Sequence, residues 1–409
     1  MPRGLSTRIV AYEALHDFIP LYPLYQLLFA DHGLSAAQIS TLFVIWSTTA
    51  FVLEVPSGAW ADTYSRRTLL VLGALLSGLG YAAWITLPSF AGFALGFVLW
   101  GTSSALISGT FEAFMYDELA ARDRTDRYAS LLGRARSASF VMNLAATALA
   151  TPLFDLGGYT LAGVVSVLSC LVQAAVALSL PEAQPVETAR DSEEPGSRAA
   201  FTNYLHMLHS GVTEVLTSRL VRRAVALVAL LGGFLAFDEY FPLLAREAGA
   251  TTSAIPLLIA GTVAAQAIGG AFAGPAYKLP AATFAVGLAA TAVLIAAGSL
   301  SRSAWGFLPI AVGYGLMQLV IVVSESRLQD AITGPARATV TSVSGLFAEV
   351  FAVAVYAGFA VGSIWFPMSI LVAALTIPVV LTALVVPFAL PPPGGAAPDN
   401  SVSTEVKEI

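Results

Sequence analysis

Apolar stretches separated by short polar breaks follow one another along almost the whole chain. Many are about 20 residues long, enough for a helix to cross the roughly 30 Å hydrocarbon core of a bilayer. Stretches such as 93–107 and 224–236 carry no charge, whereas the strands of a transmembrane barrel alternate apolar and polar residues. The pattern predicts an all-α polytopic membrane protein with twelve transmembrane helices. They begin near Arg8, Ala37, Leu69, Phe90, Tyr128, Tyr159, Arg223, Thr252, Ala281, Trp305, Ala338 and Phe366.

Composition excludes an ordinary soluble protein. Of the 409 residues, 57% are hydrophobic and only 11% are charged, against about 25% charged residues in soluble domains. Cys170 is the single cysteine and lies in an apolar run, which excludes disulfides and a cysteine metal cluster. The first apolar run contains Glu13, His16 and Asp17, where a signal peptide needs an uncharged core. We therefore expect this run to remain in the mature protein.

The basic residues predict the orientation in the membrane. With the N-terminus inside, 18 of the 20 lysines and arginines fall on the cytoplasmic side, and only Arg246 and Arg302 fall outside. Positively charged loops remain in the cytoplasm. We expect a multi-pass protein of the cytoplasmic (inner) cell membrane with both termini in the cytoplasm.

One long polar break divides the chain. The predicted organisation is a six-helix bundle over residues 1–180, a cytoplasmic linker over 181–222, a second six-helix bundle over 223–390 and a disordered cytoplasmic tail over 391–409. The start of the linker has the composition of a disordered segment. Its later part predicts an amphipathic helix on the inner leaflet, since apolar residues recur there at helical spacing: Phe201, Leu205, Leu208, Val212 and Val215.

An internal repeat supports the two bundles. Residues 58–62 (GAWAD) are echoed by residues 270–274 (GAFAG), 212 positions later. Glu112 and Asp117 share their spacing with Glu325 and Asp330, 213 positions later. Two six-helix parallel repeats joined by a linker are typical of secondary transporters, whose substrate site lies between the repeats near the middle of the membrane.

The loop after the second helix resembles the signature of the major facilitator superfamily (MFS). Gly58 is followed four residues later by Asp62, and then by the basic pair Arg66 and Arg67. The resemblance covers residues 8–390 and implies the MFS fold. It also implies a gating motif in which Asp62 and the two arginines form a cytoplasmic charge latch near the start of helix 11, favouring the outward-facing state. An Asp that faces a helix N-terminus gains from the helix dipole. Topogenic arginines and a helix-end Asp are the alternative.

Two departures limit what the resemblance implies. Helix 4 has Trp100 and Gly101 in place of the arginine that proton-coupled members often carry, and the predicted helix 5 lacks the Gly-Pro motif of drug/proton antiporters. The resemblance therefore favours a transporter more strongly than it favours drug efflux.

Ionisable residues inside a span are costly and mark candidate functional sites. Six such residues are the candidates for proton coupling and substrate binding: Glu13, His16, Asp17, Asp238, Glu239 and Glu349. The first three share one helix face because they are three or four residues apart. A structural polar cluster on helix 1, and a helix end that reaches the interface at 238–239, are the alternatives.

A second set of charges favours structural ion pairs near the cytoplasmic ends of the helices. It consists of Glu54, Glu112, Arg134, Arg136, Glu325 and Arg327. The candidates for lining a central cavity, if they do not instead face lipid or pack in the core, are Tyr25, Trp46, Trp100, Tyr314, Gln318 and Phe351.

The predicted function is proton-coupled secondary transport by alternating access. The predicted mid-membrane region has acids but no Lys or Arg, which disfavours anionic cargo. Aromatic residues suit an amphipathic, cationic or neutral small molecule. Efflux by proton antiport is slightly favoured over uptake by proton symport. We expect a monomer with no cofactor, metal, nucleic-acid partner or ATPase. A membrane enzyme is a remote alternative, because the four histidines form neither a multi-histidine site nor a His-Glu-x-x-His helix.

Overall fold

The structure, a computed structural model, describes residues 3–181, 218–332 and 337–394. All regular elements within these ranges are helices. The linker helix predicted around residues 201–215 and most of the predicted tail lie outside the described residues.

The first half of the described chain precedes residue 182. Its helices are α1 (Arg3–His16), α2 (Tyr25–Asp31), α3 (Ala36–Thr63), α4 (Arg66–Thr86), α5 (Phe90–Ile107), α6 (Thr110–Ala120) and α7 (Tyr128–Leu178). Serine caps begin three of them, because a serine hydroxyl satisfies a free amide of the first turn. Ser35 forms a reciprocal capping box with Gln38, while Ser65 and Ser89 each accept one amide hydrogen bond.

The second half begins at residue 218. Its helices are α8 (Arg219–Phe234), α9 (Phe241–Glu247), α10 (Ile255–Ala271), α11 (Ala273–Ala276), α12 (Ala281–Leu300), α13 (Phe307–Ala331), α14 (Arg337–Gly362) and α15 (Met368–Ala389). We call the end of the molecule where α1 begins and α15 ends the terminal end, and the opposite end the distal end.

Nine helical segments within the described ranges are long and apolar enough to cross a membrane. One of them contains α7, whose backbone leaves helical geometry at Gly157 and Gly158. Gly158 has a φ of +61°, which glycine adopts without the steric cost that a side chain brings. The all-helical architecture and these spans agree with the polytopic membrane protein predicted from the sequence.

The first helix of each half is interrupted. Between α1 and α2 the chain leaves helical geometry over residues 17–24, where Pro20 and Pro23 remove backbone donors and obstruct an α-helix. In the second half, a 3₁₀ segment (Leu235–Tyr240) separates α8 from α9, and Pro242 lies at the start of α9. A 3₁₀ stretch inside a long helix often marks a functional hinge.

Several helix pairs approach so closely that only glycine fits between them. A methyl group on Gly269 of α10 would overlap the carbonyl oxygen of Gly315 on α13. The first half has a similar approach, where a methyl group on Gly101 of α5 would lie 2.9 Å from the carbonyl oxygen of Trp46 on α3. Small residues at such crossings let two backbones pack closely in a membrane.

We predict that Gly269→Ala destabilises the protein whereas Gly261→Ala on the same helix does not. Nothing lies within 4 Å of a methyl group built on Gly261. Overpacking at Gly269 forces α10 and α13 apart and costs about 1–3 kcal/mol. The melting temperatures of the two purified variants in one detergent test this. Equal melting temperatures would contradict the close contact.

Candidate functional site

A buried carboxylate joins the two halves at the helix interruptions. Glu239 lies in the 3₁₀ segment between α8 and α9 and is 7% exposed. Tyr22 donates a hydrogen bond to its Oε1 at 2.8 Å, and Gln26 donates from Nε2 to its Oε2 at 3.2 Å. The hydroxyl of Tyr25 also donates to Oε2. Three donors from the first half thus surround one acid of the second half.

The contact between Gln26 and Glu239 joins the interrupted first helices of the two halves. The same turn follows α2 and α9: the amides of Gly33 and Gly249 donate to the carbonyl oxygens of Ala30 and Arg246, and both glycines have a positive φ. These turns are 216 positions apart, so the position that matches Glu239 is Pro23, three residues before Gln26.

Asp238, the neighbour of Glu239, faces the second half. The hydroxyl of Tyr314 on α13 donates to its Oδ2 at 2.6 Å. The Tyr314 ring packs edge-on against Phe237 and Phe241, with centroids 5.7 and 5.3 Å apart. These rings hold the hydroxyl in place beside the carboxylate.

A small cavity of about 50 Å³ lies beside the two acids. Among the described residues that line it are two carboxylates and no Lys, Arg or His. The lining consists of Tyr22, Pro23, Gln26, Asp238, Glu239, Phe241, Pro242, Ile259, Thr262, Val263, Gln266 and Tyr314. In this closed form the cavity has room for a few water molecules or a small polar group, and not for a whole drug-sized ligand.

An aromatic cluster in the first half adjoins this cavity. Trp46 and Trp100 are stacked, with ring centroids 4.9 Å apart. Trp100 meets the edge of Tyr22 at 6.0 Å, and Tyr25 stacks on Trp84 at 5.1 Å. The tyrosines that donate to Glu239 are thus held by packing on their ring faces and edges.

Two buried polar atoms near the cavity have no hydrogen-bond partner within the part of the chain that the structure describes. They are Oε1 of Gln26, whose side chain is 1% exposed, and Nε1 of Trp46. Turning the Gln26 amide over would place its oxygen against the Glu239 carboxylate, so the hydrogen-bond network favours the assigned orientation. Buried polar groups usually have partners, which makes these two atoms candidates for ligand contact.

The acids predicted on helix 1 form a separate cluster at the C-terminal end of α1. Arg136 donates from Nη1 to Glu13 and from Nη2 to Glu112, both at 2.7 Å. Ser139 donates to Asp17, and Nε2 of Gln173 lies 3.3 Å from Nδ1 of His16. The side chain of Arg136 is 58% exposed, whereas that of Glu13 is 3% exposed. This cluster lies within the first half.

Glu349 contacts the first half from α14. The hydroxyl of Ser47 on α3 donates to its Oε1, and the residue is half-buried. Phe351 is 37% exposed, and a methyl group on Gly233 would meet its Cβ. Gln318 is half-buried on α13. None of these three lines the described cavity.

The predicted structural charges have partners that differ from those expected. Glu112 and Arg136 do pair, but Glu325 and Arg327 do not face each other, because positions two apart on a helix point in nearly opposite directions. Arg327 donates instead to the backbone carbonyls of Tyr277, Leu279 and Pro391. Two further members lack the expected arginine partners: Arg134 is exposed, and Glu54 accepts from Ser108 at 3.2 Å.

The motif between α3 and α4 is described only in part. Gly58 is exposed on α3, and the side chain of Asp62 lies outside the described residues. Arg66 forms an ion pair with Asp117 within the first half, and Arg67 reaches the carbonyl oxygen of Leu180 at 3.4 Å. The latch implied for Asp62 at the start of α14 stays a prediction.

The repeat equivalents of these terminal-end contacts are chemically different. Asp330, which matches Asp117, accepts from the hydroxyl of Tyr277. Tyr277 lies outside the membrane-spanning helices, and its hydrogen bond to the Asp330 carboxylate raises the pKa of its hydroxyl. The duplicated acid therefore caps the loop between helices in both halves, with an arginine in one and a tyrosine in the other.

The distal end of the molecule is closed by contacts between the halves. Asp31 at the end of α2 pairs with Arg246 of α9 at 2.8 Å. The hydroxyl of Thr151 donates to the carbonyl oxygen of Ser253 at 2.7 Å. Closer to the centre, Tyr240 donates to Ser40 at 2.7 Å. Together with the Glu239 contacts, these close the path from the cavity to the distal side.

The sequence analysis selected Tyr25, Tyr314, Asp238 and Glu239, and the structure brings all four to one site. It did not select the other polar residues of this site, which are Tyr22, Gln26, Thr262 and Gln266. One signal was available for Gln26: the prolines Pro20 and Pro23, which interrupt the first span on its N-terminal side.

Two helical halves that enclose a polar cavity at their interrupted first helices define a secondary transporter. The sequence profile of the Major Facilitator Superfamily matches residues 14–355, and the chain belongs to this family. It is thus a membrane transporter and not an enzyme.

One sequence relative and two solved structures of similar fold are consistent with membership in this family. The uncharacterised MFS-type transporter YxaM of Bacillus subtilis is 32% identical over 111 residues, and this match spans 27% of each chain. The fold is similar to that of the nucleoside transporter NupG, with a TM-score of 0.73 at 10% identity over 94% of this chain and 98% of that one. The POT family transporter PepTSo gives a TM-score of 0.70 at 15% identity over 95% and 98%. The two solved structures establish the fold alone.

We predict that Tyr25→Phe opens the distal end. The change deletes one hydrogen bond to a carboxylate, worth about 1.5–3 kcal/mol. The fraction of molecules whose distal end is open therefore rises about tenfold or more. A cysteine introduced as Ser253→Cys reports the opening through its rate of maleimide labelling, since the single native cysteine, Cys170, is buried.

The matched control for this experiment is Tyr81→Phe, which removes the same hydroxyl from another tyrosine of the aromatic cluster, packed on Trp84 at 5.4 Å. Labelling that rises equally in both variants would show that the Glu239 contact does not hold the distal end closed.

Proposed function

We propose that the protein is a proton-coupled secondary transporter that moves a small amphipathic, cationic or neutral molecule across the cytoplasmic membrane by alternating access. Efflux by proton antiport is the direction we favour. The observation that carries this proposal is the pair Asp238 and Glu239, held at the contact between the halves among neutral side chains. A carboxylate without a basic partner is costly in a membrane interior. Either a proton or a cationic cargo can neutralise it.

The proposal includes twelve membrane crossings. To the nine apolar segments we add one crossing because α7 divides at Gly157 and Gly158. The short apolar helix α10 and the interrupted pair α1–α2 give the remaining two. The excess of arginine and lysine near the terminal end then places both termini in the cytoplasm, and the distal end faces outward.

Glu239 links proton binding to the opening of the distal end. As a carboxylate it accepts three hydrogen bonds from the first half. A proton on Glu239 removes the charge that these donors stabilise, and charge-assisted hydrogen bonds are about twice as strong as neutral ones. A proton or a cargo cation on Glu239 therefore weakens the closed distal side, so a cargo cation bound from the cytoplasm opens the path to the outside, where a proton replaces it.

The cluster of Glu13, Asp17 and Arg136 lies on the terminal side of the central acids and provides a second place for the proton. Arg136 bridges two acids and is itself exposed, so it can hold either carboxylate when the other is protonated. We propose that Glu13, His16 and Asp17 pass the proton to the cytoplasm, and that Glu349, which accepts from Ser47 of the first half, is a further proton carrier. The chain then works as a monomer on the proton gradient alone, without a cofactor or an ATPase partner.

Uptake by proton symport is the alternative. The two solved structures of similar fold are named a nucleoside transporter and a POT family transporter. In proteoliposomes with an imposed pH gradient, cargo that moves against the proton flux indicates antiport. Cargo that moves with the proton flux indicates symport.

We predict that Asp238→Asn and Glu239→Gln each abolish accumulation driven by a pH gradient but retain exchange of labelled for unlabelled substrate. Exchange does not need the proton, and in each variant the remaining acid still holds the cargo. If Asp17 and Glu349 carry the proton, we expect Asp17→Asn and Glu349→Gln also to abolish gradient-driven accumulation and to retain exchange. The measurement is uptake of one labelled substrate into proteoliposomes in the two modes.

Asp155→Asn is the control for these variants, because Asp155 is an exposed acid on α7. Accumulation that survives in both central variants would refute the role assigned to the acid pair.

A further inference from the structure

We infer that the cavity binds a protonated amine of the substrate, which is a cationic nitrogen that still carries N–H groups. The side-chain oxygen of Gln26 accepts a hydrogen bond from one of these N–H groups. This inference rests on the proposed function and narrows its substrate class. It follows from the charge of the cavity, from one unused hydrogen-bond acceptor and from the size of the cavity.

The charge of the site calls for a positive ligand. Asp238 and Glu239 are adjacent in the chain, and the side chains that donate to them are neutral: Tyr22, Tyr25, Gln26 and Tyr314. A proton on one of the two acids leaves the other as a buried charge without a basic partner among the lining residues, and such a charge is costly until a cation joins it. A neutral substrate leaves this cost in place.

The unused acceptor selects the kind of cation. The Nε2 of Gln26 is engaged by Glu239, and its Oε1 has no partner among the described residues although the side chain is 1% exposed. An ammonium group donates one N–H to a carboxylate and another to this amide oxygen. A quaternary ammonium has no N–H, so it would leave Oε1 buried without a partner.

The size and walls of the cavity fit such a head group. A volume of about 50 Å³ has room for a small cationic head group and not for a whole substrate. Rings of Tyr22, Phe241 and Tyr314 line the same space, and aromatic faces attract cations. The stacked pair Trp46 and Trp100 adjoins Tyr22 and offers a surface for the body of the substrate, where Trp46 Nε1 is an unused donor.

Three compounds with one body test the inference: 2-phenylethylamine, its N-acetyl derivative and its N,N,N-trimethyl derivative. A ligand that binds the folded protein raises its melting temperature, so the purified full chain is titrated with each compound at one pH and one ionic strength. We expect the amine to reach half of its effect at a concentration at least about tenfold lower than the trimethyl compound, the ratio that one hydrogen bond to a charged group produces. The acetyl compound should give no shift.

Gln26→Met tests the residue. It keeps the length of the side chain and removes the amide, and the preference for the amine over the trimethyl compound should fall to within about threefold. Gln318→Met, the same change at a half-buried position outside the cavity lining, should keep the wild-type preference. Because the comparison of compounds on the wild-type protein needs no variant, a Gln26→Met protein that fails to fold leaves the main test intact.

The inference is overturned if the trimethyl or acetyl compound matches the amine, or if none of the three shifts the melting temperature. Transport in proteoliposomes separates this result from a failure of the proposed function. Gradient-driven movement of the acetyl or trimethyl compound would uphold proton-coupled transport and reject the amine site. An amine that binds selectively but is not moved by a pH gradient would uphold the site and reject proton coupling.

Discussion

The structure depends on how a carboxylate is kept inside a membrane. Glu239 is buried away from bulk water, and the donors that satisfy it come from the opposite half of the molecule. Because an unsatisfied carboxylate in that position is costly, the halves remain together at this point for as long as the charge is present. The free-energy cost of burying the charge therefore holds the two halves in contact, and proton binding removes that charge and releases the contact.

The remaining contacts between the halves are consistent with this arrangement. The pair Asp31–Arg246 and the bond from Thr151 to Ser253 lie farther toward the distal end, where partial exposure to solvent weakens the ion pair. Interrupted helices at residues 17–24 and 235–240 supply the local freedom that rearrangement requires. The cavity lies between these two interruptions, so opening of the distal end and release of cargo use the same segments.

Apolar runs were sufficient to predict an all-helical membrane protein, because a span in a membrane needs an apolar run of fixed length. The acids inside the predicted spans were sufficient to select Asp238 and Glu239 as candidates. The pairing across the halves was not predictable, because Gln26 and Tyr22 are neutral and look like ordinary residues of a span. The partners of Arg327 were missed for a related reason: it binds backbone carbonyls, and any sequence supplies those.

The most direct test of the account measures both ends of the molecule at once. Spin labels at Leu156 and Trp305 report the distal end, and labels at Tyr64 and Leu279 report the terminal end; all four positions are exposed. The account predicts a short distal distance in the wild type. It also predicts that Glu239→Ala, which removes the acceptor, adds a population with a longer distal and a shorter terminal distance. Unchanged distances in Glu239→Ala, or distances that lengthen together at both ends, would contradict it.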